Sequence, residues 1–115
     1  MRIGIVVIMM LFLQACAIFG PPTELDDTKG LSAERIYEKA SEEMANKNYK
    51  KSVEYLKKLE SRYPNSKFGA QAKLDMAYAY YKQEDAAQCV SSVERFIKIH
   101  PNHPNLDYAY YLKGV

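Results

Sequence analysis

Residues 77–85, Ala77-Tyr78-Ala79-Tyr80-Tyr81-Lys82-Gln83-Glu84-Asp85, decide the fold. They read as the end of one helix and the turn that follows it. Upstream, Ala70, Leu74, Ala77, Tyr78 and Tyr81 keep the three- and four-residue spacing of one helix face, and Ser66 is expected to open that helix. Downstream, Asp85 stands where a cap is needed for a helix carrying Cys89, Val93, Phe96 and Ile97, which Pro101 closes. The same design occurs earlier. Ala33, Ile36, Tyr37, Ala40 and Met44 share one face behind Ser32 as N-cap, with Glu34 in the first turn. Asn46-Lys47-Asn48 breaks that helix, and a second follows with Tyr49, Val53, Leu56, Leu59 and Tyr63, stopped by Pro64. Asn105 starts a fifth at Leu106. No segment alternates apolar and polar strictly enough to be a strand. The fold class is all-α.

Laid on each other, the helix pairs match. Tyr37-Glu-Lys-Ala40 leads to Asn48-Tyr49 and then to Tyr63-Pro64-Asn65; Leu74-Asp-Met-Ala77 leads to Glu84-Asp85 and then to His100-Pro101-Asn102. The offset is about 37 residues, the tetratricopeptide period of about 34 plus a short insertion in the turn between repeats. Residues 77–85 resemble that repeat's consensus at the end of its first helix. Ala40, Ser52, Ala77 and Cys89 are small residues where paired helices approach closely. A chance four-helix bundle has no reason to repeat its Pro-Asn stops. The expected architecture is a solenoid of helical hairpins: two repeats over 32–105 and the first helix of a third over 106–115. Such units bury their apolar faces against their neighbours, and three or more are normally needed. The aromatic last helix, Asp107 to Val115, therefore implies an N-terminal portion of a longer protein, or a partner covering that end.

The N-terminus reads as an address. Arg2 precedes Ile3-Gly4-Ile5-Val6-Val7-Ile8-Met9-Met10-Leu11-Phe12, an uncharged run of about ten apolar residues. A membrane-spanning helix needs roughly 20. The run fits an export signal better than a retained anchor or a core helix. Leu13-Gln14-Ala15-Cys16 resembles the lipobox of bacterial lipoproteins: a small residue at the cleaved bond and a thiol to receive a diacylglyceryl group. That resemblance implies removal of 1–15 and acylation of Cys16, with several acyl chains holding the protein durably on a membrane. Ala17 after the cysteine resembles the outer-membrane sorting default. Segment 16–31, with Pro21-Pro22 and no helical or strand period, reads as a flexible tether. Cys89 sits in an apolar stripe and is expected to be buried and inert, with no disulfide.

Composition limits what the helices can do. Of 115 residues, 48% are hydrophobic and 26% charged, which is globular, and the first fifteen inflate the apolar share. Lys plus Arg number 16 against 14 acidic residues, with the signs interspersed. A nucleic-acid binder would cluster a basic excess on one face. No catalytic constellation, phosphate loop or cofactor motif stands out, so no enzyme and no cofactor are expected. His100 and His103 have a spacing that could ligate a metal, but only Asp107 stands nearby, and a loop with a histidine at a helix C-terminus is the expected reading.

Ten tyrosines and no tryptophan form the unusual part of the composition. In stacked hairpins the first helix of each unit lines a concave groove. Repeat register places Tyr37 and Met44, then Gln71, Leu74, Tyr78, Tyr81 and Lys82, then Tyr108 and Tyr111 on that wall. Tyrosine buries a rigid ring while its hydroxyl stays wet, which suits an extended peptide, and Lys82 is available to a carboxylate. Tyr78 and Tyr111 fit groove or core alike. Tyr80 and Tyr110 are expected in the core, and Tyr49 and Tyr63 are expected to seal helix turns.

Taken together, the lipobox, the Pro-containing tether and the repeats resemble one family closely. Glu60-Ser-Arg62-Tyr63-Pro64, Ala77-Tyr-Ala-Tyr-Tyr-Lys-Gln83, Arg95-Phe96-Ile97-Lys98-Ile99-His100-Pro101-Asn102-His103-Pro104-Asn105 and Asp107-Tyr-Ala-Tyr-Tyr-Leu-Lys-Gly114 carry the likeness over about 33–115. The chain resembles the BamD family of outer-membrane assembly lipoproteins. The resemblance implies a lipid-anchored subunit facing the periplasm of a Gram-negative bacterium, within the machine that inserts β-barrels into the outer membrane. It implies binding of unfolded outer-membrane proteins through their C-terminal segments, and contact with BamA and other lipoproteins of that machine. Family members carry further repeats, associated with BamA, that this chain lacks. The competing reading is an envelope scaffold lipoprotein organising pilus, secretion or cell-wall machinery through the same repeats.

Overall fold

The computed structural model describes residues 26–115. The export signal, Cys16 and most of the tether lie outside the described residues. Five helices follow in order: α1 Ala33–Ala45, α2 Tyr49–Arg62, α3 Gly69–Lys82, α4 Ala86–Ile99 and α5 Leu106–Gly114. No strand occurs among the described residues. Each helix packs on the next, and α3 also meets α5, which is the neighbour pattern of stacked hairpins. The fold is an all-α, tetratricopeptide-type stack.

Caps expected from the sequence form at two starts. Ser32 Oγ accepts the Arg35 N–H at 3.3 Å, and the Asp85 carboxylate accepts the Gln88 N–H at 3.2 Å. The third helix departs from expectation. Ser66 does not cap it: the helix starts at Gly69, and Ser66 Oγ is buried without a hydrogen-bond partner. The reason lies in the turn. Tyr63 and His100, each before a proline, leave the helical region at φ −132°, ψ 61° and φ −125°, ψ 60°. The Ser66 N–H then bonds to the Tyr63 carbonyl and the Gly69 N–H to the Ser66 carbonyl, both at 3.1 Å. His100, His103 and Leu106 repeat that ladder at 3.2 and 3.1 Å, so both turns between repeats use one backbone design.

Two cores result. Ile36, Ala40, Val53, Tyr55, Leu56 and Leu59 enclose one with Ala72, Met76 and Ala79; Cys89, Val93, Phe96, Ala109 and Leu112 enclose the other with Leu74 and Ala77. Helix α3 therefore serves both, and Tyr80 packs against each. Sequence periodicity identified one of its faces. The other, Ala72-Met76-Ala79, is hidden because a helix buried on two sides has no single apolar stripe. The small residues Ala40, Ser52, Ala77 and Cys89 are all buried where helices cross, and Ser52 Oγ donates to the Ala40 carbonyl at 2.7 Å. Tyr110, expected in the core, is 54% exposed, because Ala109 and Leu112 take the inward face of α5.

Residues 26–31, read as the end of a tether, dock on α2. Thr28 is fully buried, and Arg62 Nη1 donates to its carbonyl and hydroxyl oxygens at 2.7 Å each. Asp26 accepts from Lys58 at 3.0 Å and pairs with Arg62. Tyr55 donates its hydroxyl to Asp27, and Tyr63 donates to the Leu31 carbonyl at 2.6 Å. Polar residues without a period make these contacts, which periodicity does not reveal. At the same end of α2, Glu60 pairs with Lys73 at 3.4 Å and accepts from Arg95 at 3.0 Å, joining α2, α3 and α4.

Candidate functional site

Helices α1 and α3 are joined by the Tyr37–Asp75 hydrogen bond, and α3 also meets α5. Between α1 and α3 lies a cleft of about 380 Å³ whose walls are Tyr37, Met44, Asp75 and Tyr78. Ala40, Ser52 and Leu56 form its floor, because their small or inward-turned side chains let α2 close the back. Tyr37 stacks on Phe68 with ring centroids 4.7 Å apart, and Tyr49 meets Tyr78 edge-on at 6.3 Å. Both cleft tyrosines are thus held by aromatic neighbours outside the cleft.

A polar line joins these helices. Tyr37 Oη donates to Asp75 Oδ2 at 2.8 Å, and Gln71 Nε2 donates to Asp75 Oδ1 at 2.9 Å. Asn105 Nδ2 in turn donates to Gln71 Oε1 at 3.3 Å, joining the start of α5 to α3. Burial pushes the Asp75 carboxyl up, against the pull of its two donors. Burial and the Asp75 charge push the Tyr37 phenol up to about 12. The Tyr108 phenol is also raised, by burial first and then by Tyr78, Asp75 and Tyr111 around it. Tyr108 and Tyr111 lie nearly parallel, with centroids 6.3 Å apart.

The expected wall is therefore divided by the structure. Tyr37 and Tyr78 line the cleft, and Tyr108 and Tyr111 continue the aromatic surface along α5. Leu74 does not contribute: at 1% exposure it sits in the second core beneath α4. Tyr81 faces a different cleft, of about 240 Å³, with Glu84, Cys89, Val90 and Leu112. Lys82 is exposed in the last turn of α3, one turn beyond Tyr78. Asp75 escaped the sequence reading, since it stands alone between Leu74 and Met76. Its spacing from Gln71 (four residues) and Tyr78 (three) is the signal that could have found it.

The histidines form no such site. His103 meets Phe96 edge-on at 5.0 Å and accepts the Asn105 N–H at 3.1 Å, while burial, then Lys73 and His103, lower the basicity of His100. Cys89 is buried in the second core, and burial pushes its thiol up. Among the described residues no helix is long and apolar enough to cross a membrane.

A family model described as outer membrane lipoprotein, YfiO, matches residues 29–115. The outer membrane protein assembly factor BamD of Neisseria gonorrhoeae is 40% identical over 115 residues, 99% of this chain and 43% of that protein. BamD of Vibrio cholerae is 31% identical over 98 residues, 85% of this chain and 41% of that protein. BamD of Xylella fastidiosa strain 9a5c is 37% identical over 86 residues, 75% of this chain and 30% of that protein. The chain spans about two fifths of the length of the first two relatives and less of the third. With the family model covering most of its length and these identities beside it, the chain belongs to the BamD (YfiO) family of outer membrane lipoproteins.

Proposed function

We propose that this chain works as a non-catalytic subunit of the outer-membrane β-barrel assembly machinery, capturing extended segments of unfolded outer-membrane proteins in the groove between α1, α3 and α5. Acylated Cys16 holds it on the outer membrane facing the periplasm, and BamA and the other assembly lipoproteins are its partners. Family membership supports the assembly role. The observation that carries the capture step is the cleft itself, where Tyr37 and Tyr78 offer ring faces beside hydrogen-bonding groups. An extended chain needs that mixture, because alternate side chains seek apolar contact while its backbone seeks donors and acceptors. Lys82, one helical turn along α3 from Tyr78, is the cation available to a terminal carboxylate.

The test is binding of a fluorescent peptide ending in Phe to the full chain. Tyr78→Ala combined with Tyr108→Ala is expected to weaken it about tenfold or more, the loss typical of an aromatic anchor. Unchanged affinity rejects the groove. Acylation is checked separately, by the mass of the N-terminal peptide that starts at Cys16.

A further inference from the structure

Two carboxylates that are partly withdrawn from water, Asp26 and Glu60, meet cations, whereas Asp75, which lines a cleft, meets none. Asp26 has Lys58 and Arg62; Glu60 has Lys73 and Arg95. Asp75 has only Tyr37 and Gln71, both neutral, and no lysine or arginine among the described residues forms an ion pair with it. Ionised carboxylates offer about four lone-pair sites, and here each oxygen has accepted one donor. The residue lines the cleft, so its unused acceptor capacity opens there. A half-buried charge with neutral partners is unfavourable until an opposite charge joins it.

The surroundings state which opposite charge fits. Tyr37 and Tyr78 line the cleft together with the carboxylate, and Tyr108 lies close enough to feel the Asp75 charge. Ring faces attract cations, and a planar guanidinium both stacks on tyrosine and forks across the two oxygens of a carboxylate. An ammonium satisfies the charge but not the plane. Resting on the peptide-capture reading above, we infer that Asp75 is the recognition point for a basic side chain, arginine before lysine, carried by the extended segment beside its aromatic residues. The groove then reads an aromatic–cation pattern along the peptide, in addition to any terminal carboxylate near Lys82.

Matched peptides test this on the full chain: one short extended peptide with aromatic residues flanking an arginine, and copies with lysine or citrulline there. Citrulline keeps the shape and removes the charge. The arginine peptide is expected to bind about tenfold tighter than the citrulline one, with lysine between. Asp75→Asn is expected to weaken the arginine peptide far more than the citrulline one, closing most of the gap between them. Equal binding of all three peptides by the unaltered chain overturns the Asp75 assignment and leaves the groove standing, since this comparison needs no variant to fold. An Asp75→Asn loss shared equally by arginine and citrulline peptides also overturns it. Binding of none of the three overturns the groove and this inference with it.

Discussion

Lys47 and Glu84 occupy the same place in successive repeats, and both hold left-handed backbone, at φ 62° and φ 61°. Each is the first residue past the cap of its helix. The Lys47 N–H bonds to the Met44 carbonyl and the Asn48 N–H to the Glu43 carbonyl, at 3.1 and 2.8 Å. In the second repeat the Glu84 N–H bonds to Tyr81 and the Asp85 N–H to Tyr80, at 3.0 and 2.9 Å. These are paired C-terminal closures that glycine usually makes, and here the next residue opens the following helix.

Side chains with a Cβ are strained in that conformation, while both positions are exposed and carry no ion pair. Lys47→Gly and Glu84→Gly are each expected to stabilise the fold by about 0.5–1 kcal/mol, after allowing for the greater freedom of glycine in the unfolded chain. Urea midpoints measure it. A lower midpoint for both variants contradicts the strain argument.

Asp75 carries the opposite sign from most carboxylates in its effect on stability. Its folded pKa is raised, so folding disfavours the ionised form. The fold is relieved of that disadvantage below the unfolded pKa, near 4, and bears it fully once pH rises above the folded value. Asp75→Asn is therefore expected to raise Tm at pH 7, with the gain disappearing in acid. A variant less stable than the parent at neutral pH contradicts burial as the dominant influence on this carboxyl.

How far the sequence disclosed this molecule follows from the physics of each part. Helices α1, α2 and α4 each bury one face, so Ile36, Leu56, Val93 and Phe96 were readable from spacing alone. The turns repeated, so the stack was readable as well. Helix α3 was half legible, because Met76 and Leu74 point to opposite cores. Tyr37 was expected on the wall and Tyr78 on wall or core alike; both line one cleft, whose carboxylate, Asp75, was not foreseen. Polar contacts across distant elements, Asp26 to Arg62 or Tyr37 to Asp75, leave no periodic trace.

The Asp26–Arg62 clamp predicts acid sensitivity. Hydrogen bonds from Thr28 and Lys58 hold the Asp26 carboxyl well below the usual range, and the Tyr55 hydroxyl does the same for Asp27. Both contributions are present above the unfolded pKa near 4 and are lost as pH falls through the lower folded values. Tm is expected to fall between pH 4 and pH 2, and Asp26→Asn combined with Asp27→Asn to flatten that slope. Arg62→Ala strands the buried Thr28 oxygens and is expected to cost about 1–2 kcal/mol at neutral pH. An unaltered acid slope in the double variant removes the clamp from the account.

Helix α3 offers a test of whether the two cores are separate. Leu74 is 1% and Met76 3% exposed, two residues apart on one helix, which places them on opposite faces. Leu74→Ala opens a cavity against Val93 and Phe96, whereas Met76→Ala opens one against residues such as Leu56 and Leu59. Each is expected to cost about 2–5 kcal/mol, since deleted contacts and residual cavity both count. With different partners, the two losses are expected to add to within about 0.5 kcal/mol in a double-mutant cycle of urea unfolding. The sum approaches the whole stability of a small domain, so the cycle is best run on the stabilised Lys47→Gly, Glu84→Gly background. Coupling well above that figure means the helix shifts as one body between the cores, through Tyr80, which touches both.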